Sequence, residues 1–174
     1  LIPTLERMTQ GSDVTIVEGD VLKLDLDELT KQHGWAWPYK IVANLPYYIT
    51  TPVIMHILEN KYHFEHMVIM VQREVAARLT AVPGTKDYGA ISLAVRYYTE
   101  PSMLFKVDRR QFYPAPEVDS AVVLLKKRKQ PPVDVYNEEF MFKIIKAAFG
   151  QRRKMLLNAL QIVDPDLSKD KLQL

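Results

Sequence analysis

Asn44, Pro46 and Tyr47 fall within four residues at the end of the apolar run Ile41-Val42-Ala43, and Tyr48-Ile49-Thr50-Thr51-Pro52 follows them. The Asn44 side-chain oxygen and the Pro46 carbonyl can each accept an N–H, and Pro brings no competing donor of its own. The Tyr47 ring offers a face for stacking. Such a corner suits a flat exocyclic amine like adenine N6, which carries two N–H groups beside a planar ring. A short buried strand that stops at a polar corner is also how an open α/β sheet presents a site, because ligands collect outside the carboxyl ends of its strands. Asn-x-Pro-Tyr equally makes an ordinary turn, since Asn favours turn starts and Pro fixes the backbone.

A second segment raises the specificity: Gln111-Phe112-Tyr113-Pro114-Ala115-Pro116-Glu117-Val118-Asp119-Ser120-Ala121-Val122-Val123. It supplies another aromatic at a Pro-fixed loop, followed by a strand pattern.

The elements that must position these segments follow from periodicity. Leu1, Leu5 and Met8 have helical spacing. Val14-Thr15-Ile16-Val17 predicts a short strand leading to Gly19-Asp20. A helix is predicted from Asp25 to His33, stopped near Gly34. Lys40–Ala43 is the strand feeding Asn44, and Thr51 offers an N-cap with Pro52 at the first position of a helix to Asn60. The continuous run Met67–Val71 predicts a buried strand in a mostly parallel sheet. Helices are expected at Arg73–Leu79 and Tyr88–Tyr98, with a turn at Pro83-Gly84. Strands at Met103–Val107 and Val118–Leu125 then flank the Phe112 loop, which brings that loop to the sheet edge, facing the Asn44 corner. Alternating strands and helices argue for α/β. After Pro131-Pro132 the texture turns helical, with Phe140, Ile144, Ala147 and Ala148 on one face, a stop at Gly150 and a second helix from Arg152 to Leu160. The expected boundary divides residues 1–130 from 131–174.

On Asn44-Leu45-Pro46-Tyr47, on Phe112-Tyr113-Pro114-Ala115-Pro116 with Val118-Asp119-Ser120-Ala121-Val122-Val123, and on Phe149-Gly150-Gln151-Arg152-Arg153-Lys154, the chain resembles the ribosomal RNA adenine N6-dimethyltransferases of the KsgA type. The three segments occur in the family's order and span nearly the whole sequence. The resemblance implies a Rossmann-like S-adenosylmethionine-dependent methyltransferase domain joined to a small helical domain. It implies dimethylation of two neighbouring adenines near the 3′ end of small-subunit ribosomal RNA, within a pre-ribosomal particle, by a monomeric enzyme. Asn44, Leu45, Pro46, Tyr47 and Phe112 would form the catalytic corner, with Tyr47 and Phe112 on the two faces of the target base. Asp20, with Val21 and Asn44, would contact the cofactor. Arg152, Arg153 and Lys154 would meet RNA phosphates. Gly19-Asp20 also reads as a simple turn, and the basic helix start as a solvated face.

The chemistry expected of such a corner is mostly positioning. Adenine N6 is a poor nucleophile because its lone pair is delocalised into the ring, so the work is to aim it at an activated methyl group. Acceptors placed where positive charge develops are favoured most in the transition state. A direct in-line displacement on a sulfonium methyl, without a covalent enzyme intermediate, is the expected reaction.

The sequence also departs from the family. Its six glycines, at 11, 19, 34, 84, 89 and 150, form no G-x-G pair. The first strand, its Gly-rich turn and the second strand ending in an acidic residue are missing, so the chain is expected to be truncated at its start and short of the full helical domain at its end. The runner-up is a large-subunit adenine methylase of the macrolide-resistance type, a branch that more often has Ile where Leu45 stands; Asp119-Ser120-Ala121 and Gln151–Lys154 favour the small-subunit branch. A non-catalytic ribosome-assembly RNA-binding protein is the reading from another class.

Composition fits these expectations. At 174 residues and 48% apolar, one sizeable core plus an appendage can form. No apolar run approaches the roughly 20 residues that span a bilayer, and the opening residues lack signal-peptide features, so a cytoplasmic setting is expected. Without cysteine there is no disulfide or thiolate site. His63-x-x-His66 forms no metal constellation, so neither a metal nor a membrane is expected among the partners. Residues 1–100 hold 9 Lys/Arg against 12 Asp/Glu, whereas residues 101–174 hold 14 against 9. The basic half is the expected polyanion contact.

Overall fold

Within residues 1–150, four strands and six helices make up the architecture. The computed structural model describes residues 1–150 together with 160, 161 and 163. In chain order the elements are α1 (Ile2–Thr9), α2 (Leu26–Gln32), β1 (Tyr39–Asn44), α3 (Thr50–Glu59), β2 (Phe64–Gln72), α4 (Arg73–Thr80), α5 (Ala90–Tyr98), β3 (Thr99–Val107), β4 (Ser120–Lys127) and α6 (Glu138–Gly150), with 3₁₀ turns at Tyr47–Ile49 and Arg109–Gln111.

The strands form one sheet in the order β1-β2-β4-β3. β1 and β2 are parallel, joined over α3, while β2–β4 and β3–β4 are antiparallel. The sheet is therefore mixed rather than mostly parallel, because the loop carrying Phe112 folds β4 straight back along β3. Met67, Ile69, Val71, Val123 and Leu125 point to one face and are fully buried against Val53, Ile54 and Ile57 of α3, Leu79 of α4 and Val95 of α5. On the other face Val68 and Leu124 are only half covered and Val42 is 82% exposed. Burial of the first set supplies most of the driving force, at about 1.5–3 kcal/mol per large apolar side chain.

Local chemistry explains the helix ends. The Asp25 carboxylate accepts the Glu28 N–H at 3.0 Å, capping α2. Gly34 follows it at φ +66°, a left-handed position that suits glycine. α3 begins one residue before the expected cap: Ile49 is the N-cap, and Pro52 sits in the first turn, where its missing N–H costs nothing. Ser92 links α5 to α4 by accepting the Gly89 N–H and donating to the Arg78 carbonyl.

One further expectation fails and another holds in part. Val14–Val17 joins no sheet; Val14 and Val17 are 53% and 40% exposed, because no strand among the described residues pairs with them. In α6 Ile144, Ala147 and Ala148 of the expected face are half-buried, as are Phe142, stacked on Tyr98 at 5.6 Å, and Phe149, edge-on to Tyr88, whereas Phe140 is exposed. At its first turn Glu138 accepts hydrogen bonds from Tyr98 and Lys61. The helix expected at Arg152–Leu160 lies largely outside the described residues, as do Arg152, Arg153 and Lys154.

Candidate active site

β1 delivers Asn44 to the carboxyl end of the sheet, and the chain turns there because Pro46 cannot extend the ladder. Leu45 is the hinge of this corner: its N–H still reaches the Met70 carbonyl of β2 at 3.4 Å, and its side chain is buried in the core. Asn44 itself is exposed. Tyr47 opens the 3₁₀ turn and is 39% exposed, with its hydroxyl 3.0 Å from Ser120 Oγ.

Opposite this corner stands the loop between β3 and β4. A cleft of about 370 Å³ is lined by Asn44, Leu45, Pro46 and Tyr47 on one side, Met70 at its floor, and Phe112, Tyr113, Pro114 and Pro116 on the other. The two motifs that are 65 residues or more apart in sequence thus meet in one opening, at the end of the sheet where an α/β fold collects ligands. Among the described residues no carboxylate, imidazole or amine lines the cleft. What it offers is hydrogen-bond acceptors and planar apolar surface, so a reaction there would depend on orientation rather than on a general base.

The acceptor assignment changes in one respect. The Pro46 carbonyl already accepts the Ile49 N–H at 3.2 Å and the Thr50 hydroxyl at 3.0 Å, which engages both of its lone pairs. The Leu45 carbonyl accepts no hydrogen bond among the described residues. Sequence reasoning missed this because the Thr50 hydroxyl turns back four residues onto Pro46 only once the 3₁₀ turn has formed.

It also missed the residues that hold the two walls. Asp119 accepts the Arg109 N–H through Oδ1 at 3.2 Å and pairs with Arg73 through Oδ2 at 3.2 Å, while its carbonyl accepts the Arg73 N–H at 2.9 Å. Arg109 in turn donates to the Glu117 carbonyl at 3.1 Å, closing the base of the Phe112 loop. At the loop's start, the bidentate Arg110 guanidinium and the Arg110 backbone N–H hold the Asp108 carboxyl down to about 2.

Asp20 stands apart from the cleft lining. Its Oδ1 accepts the Leu22 N–H at 3.1 Å and its carbonyl accepts the Lys23 N–H, which makes it a turn cap. Its Oδ2 has only a 3.8 Å contact with the exposed Lys23 ammonium, so this oxygen is free to accept an amine N–H. Val21 is half-buried against the core. Gly19 is closely approached, since a Cβ there would come within 3.1 Å of the Leu24 side chain, which would have to give slightly.

The histidines play structural parts. His63 Nδ1 lies 2.7 Å from Asp27, stacked on Trp37 at 4.6 Å, and His66 lies in β2. Among the described residues no group of three or more His, Cys, Asp or Glu side chains is placed to hold a metal, and no helix is long and apolar enough to cross a membrane.

Comparison with known proteins shows the family. The chain is 49% identical to the Ribosomal RNA small subunit methyltransferase A of Moorella thermoacetica, over 97% of this chain and 61% of that protein. It is 50% identical to that of Clostridioides difficile, over 92% of this chain and 56% of that protein. The chain therefore spans about three fifths of the length of these relatives. Among solved structures, a dimethyladenosine transferase from Plasmodium falciparum superposes with a TM-score of 0.72 at 24% identity, over 91% of this chain and 54% of that one. The 23S rRNA methyltransferase ErmE gives 0.65 at 26%, over 92% and 62%. The first confirms the Rossmann-like fold expected from the sequence. A family profile described as "Ribosomal RNA adenine dimethylase" matches residues 1–173, and with relatives near 50% identity this places the chain in the ribosomal RNA adenine dimethylase family.

Proposed function

We propose that this chain carries the base-binding half of an S-adenosylmethionine-dependent enzyme that dimethylates N6 of two adjacent adenines near the 3′ end of small-subunit ribosomal RNA. The observation that carries the reading is the cleft itself, which brings the Asn44 corner and the Phe112 loop together in one opening of about 370 Å³, with room for a purine and with the acceptors and aromatic rings that suit one. Asn44 Oδ1 and the Leu45 carbonyl accept the two N6 hydrogens, Leu45 replacing Pro46 because the Pro46 carbonyl is engaged. Tyr47 stacks on one face of the base and Phe112 on the other, as flipped or single-stranded bases are generally gripped. Holding both N–H groups of the unmodified amine turns the nitrogen lone pair toward the methyl donor and stabilises the positive charge that grows on N6 as the C–S bond breaks and the thioether leaves. The cationic N6 then loses a proton to solvent at the exposed corner, and for the second transfer its one remaining N–H keeps one of the two acceptors.

S-adenosylmethionine, when bound, supplies an electrophilic methyl group on a sulfonium. The residues present fit its adenine end, since Asp20 keeps one carboxylate oxygen free at the carboxyl side of the Val14–Val17 segment and Asn44 sits beside the reacting end. Residues 131–174 are read as the start of a helical RNA-contacting domain, with Arg152, Arg153 and Lys154 meeting phosphates. The surroundings follow from the substrate: a monomer acting in the cytoplasm on a pre-ribosomal particle.

Small-subunit RNA is favoured over large-subunit RNA because relatives near 50% identity are small-subunit methyltransferases, whereas ErmE is a 26% structural neighbour. The test supplies the full-length source protein with radiolabelled S-adenosylmethionine and unmethylated small and large ribosomal subunits. Label in dimethyladenine of the small subunit is expected. Label only in the large subunit would replace the reading with the macrolide-resistance type, and tight RNA binding without label would replace it with an assembly factor.

A further inference from the structure

The amino end of β4 touches both walls of the cleft. Ser120 Oγ lies 3.0 Å from the Tyr47 hydroxyl on the Asn44 side, and Ser120 is fully buried. Its neighbour Asp119 grips the other side, accepting the Arg109 N–H at the root of the Phe112 loop while its second oxygen and its carbonyl hold Arg73 at the start of α4. Neither residue lines the cleft. The register Gln72↔Ser120 fixes this dipeptide against β2, whose Met70 forms the cleft floor.

Bulk stability does not account for the arrangement. The Arg73–Asp119 pair is exposed at 59% and 35%, and pairs of that kind contribute little because solvent screens them. The Tyr47–Ser120 contact is a single neutral hydrogen bond, and such a bond contributes little net because folding exchanges it for bonds to water. Geometry is what these bonds supply. Without Ser120 the Tyr47 ring is free to pivot about its side-chain torsions, and without Asp119 the Arg109–Gln111 turn loses the acceptor that sets the height of Phe112.

We infer that Asp119 and Ser120 are positioning residues that hold Tyr47 and the Phe112 loop at a fixed separation, setting the width of the slot for a planar base. The inference rests on the proposed role of the cleft, but its mechanical part does not. A misplacement near 1 Å can cost up to about a hundredfold in rate, so Ser120→Ala and Asp119→Ala should each lower kcat for RNA methylation by roughly tenfold, at unchanged KM for RNA. Ser120→Ala and Tyr47→Phe should be non-additive, the double variant falling no further than the worse single one, because both delete one hydrogen bond. Ser120→Thr, which keeps the hydroxyl, should restore kcat at least in part.

A second readout needs no activity. Arg109 and Arg110 are trypsin sites inside the clamped loop, and Asp119→Ala should accelerate cleavage there by several-fold relative to Lys31 in the same molecule. In the full-length source protein, wild-type kcat retained by both variants while Asn44→Ala is inactive would overturn the positioning role and leave the proposed function standing. Additive losses in Ser120→Ala and Tyr47→Phe would overturn the Ser120 arm. No methylation by the wild type would end the functional reading, and the trypsin comparison then decides the clamp alone: faster cleavage at Arg109–Arg110 supports it, and an unchanged rate overturns it.

Discussion

The two ends of the parallel pair β1–β2 are held in different ways. At the amino end, Asp27 of α2 accepts the Tyr39 hydroxyl at 2.8 Å, the His63 N–H at 2.9 Å and the His63 ring at 2.7 Å, while Trp37 stacks on His63 and donates to the buried Thr30. At the carboxyl end, Asn44 is exposed and the facing walls of the cleft are apolar. The amino end closes its hydrogen bonds on itself. The carboxyl end leaves the Asn44 side chain and the Leu45 carbonyl for a ligand. The contrast teaches that residues can be conspicuous in opposite ways: a saturated network marks a brace, and an unsaturated corner beside a cleft marks a place of binding.

Breaking what both ends share should have the largest effect on stability. Ile69 is fully buried between them, and Ile69→Ala should cost about 2–5 kcal/mol, lowering the denaturant midpoint and the turnover together. Removing the brace should separate the two. Asp27→Ala leaves the Tyr39 hydroxyl without its acceptor and should cost about 1–3 kcal/mol in urea unfolding, with kcat of the folded fraction unchanged.

The brace also carries a pH signature. Burial opposes charge on Asp27, but the His63 ring, the His63 N–H and the Tyr39 hydroxyl outweigh it and hold its carboxyl below the ordinary 3.8. A carboxylate with a depressed pKa contributes stability above its unfolded value and loses it as pH falls through the folded one. The gap in unfolding free energy between the wild type and Asp27→Asn should therefore be full at pH 6 and shrink below 3.8, as a urea series at stepped pH would read.

On the cleft side, Phe112→Ala should weaken binding of an RNA carrying an unpaired adenine by about 1–3 kcal/mol, the usual worth of one aromatic–base stack, and leave the melting temperature within a degree or two. The smallest effect is expected at the turn between the two ends. In Gly19→Ala the new methyl meets only the flexible tip of Leu24, so a cost of about 1 kcal/mol or less in thermal unfolding should follow.

Much of this was legible in the sequence because local signals sufficed. Asp25 before an amphipathic stretch and Gly34 after it placed α2, and the apolar run through Met67–Val71 placed β2. The two Pro-aromatic segments found each other because each sits next to a strand end. What stayed hidden depends on distant partners. Val14–Val17 has β-branched composition, yet a strand exists only with a ladder to join. The sheet's mixed direction was fixed by a hairpin, which composition does not reveal. Tyr47–Ser120 and Arg73–Asp119 join residues 73 and 46 apart in sequence, and the Thr50 hydroxyl that occupies Pro46 turns inward only because α3 begins at Thr50, ahead of the expected start at Pro52.

The central claim is that the carboxyl-end corner acts on an adenine amine while the amino end only supports it. Asn44→Ala in the full-length source protein tests this most directly, with methyl transfer to unmethylated small subunits and the thermal midpoint measured on the same preparation. The account predicts that turnover falls by about 10²–10³, the usual loss when one oriented transition-state hydrogen bond is removed, while the midpoint stays within a degree or two because Asn44 is exposed. Full turnover at an unchanged midpoint would contradict it.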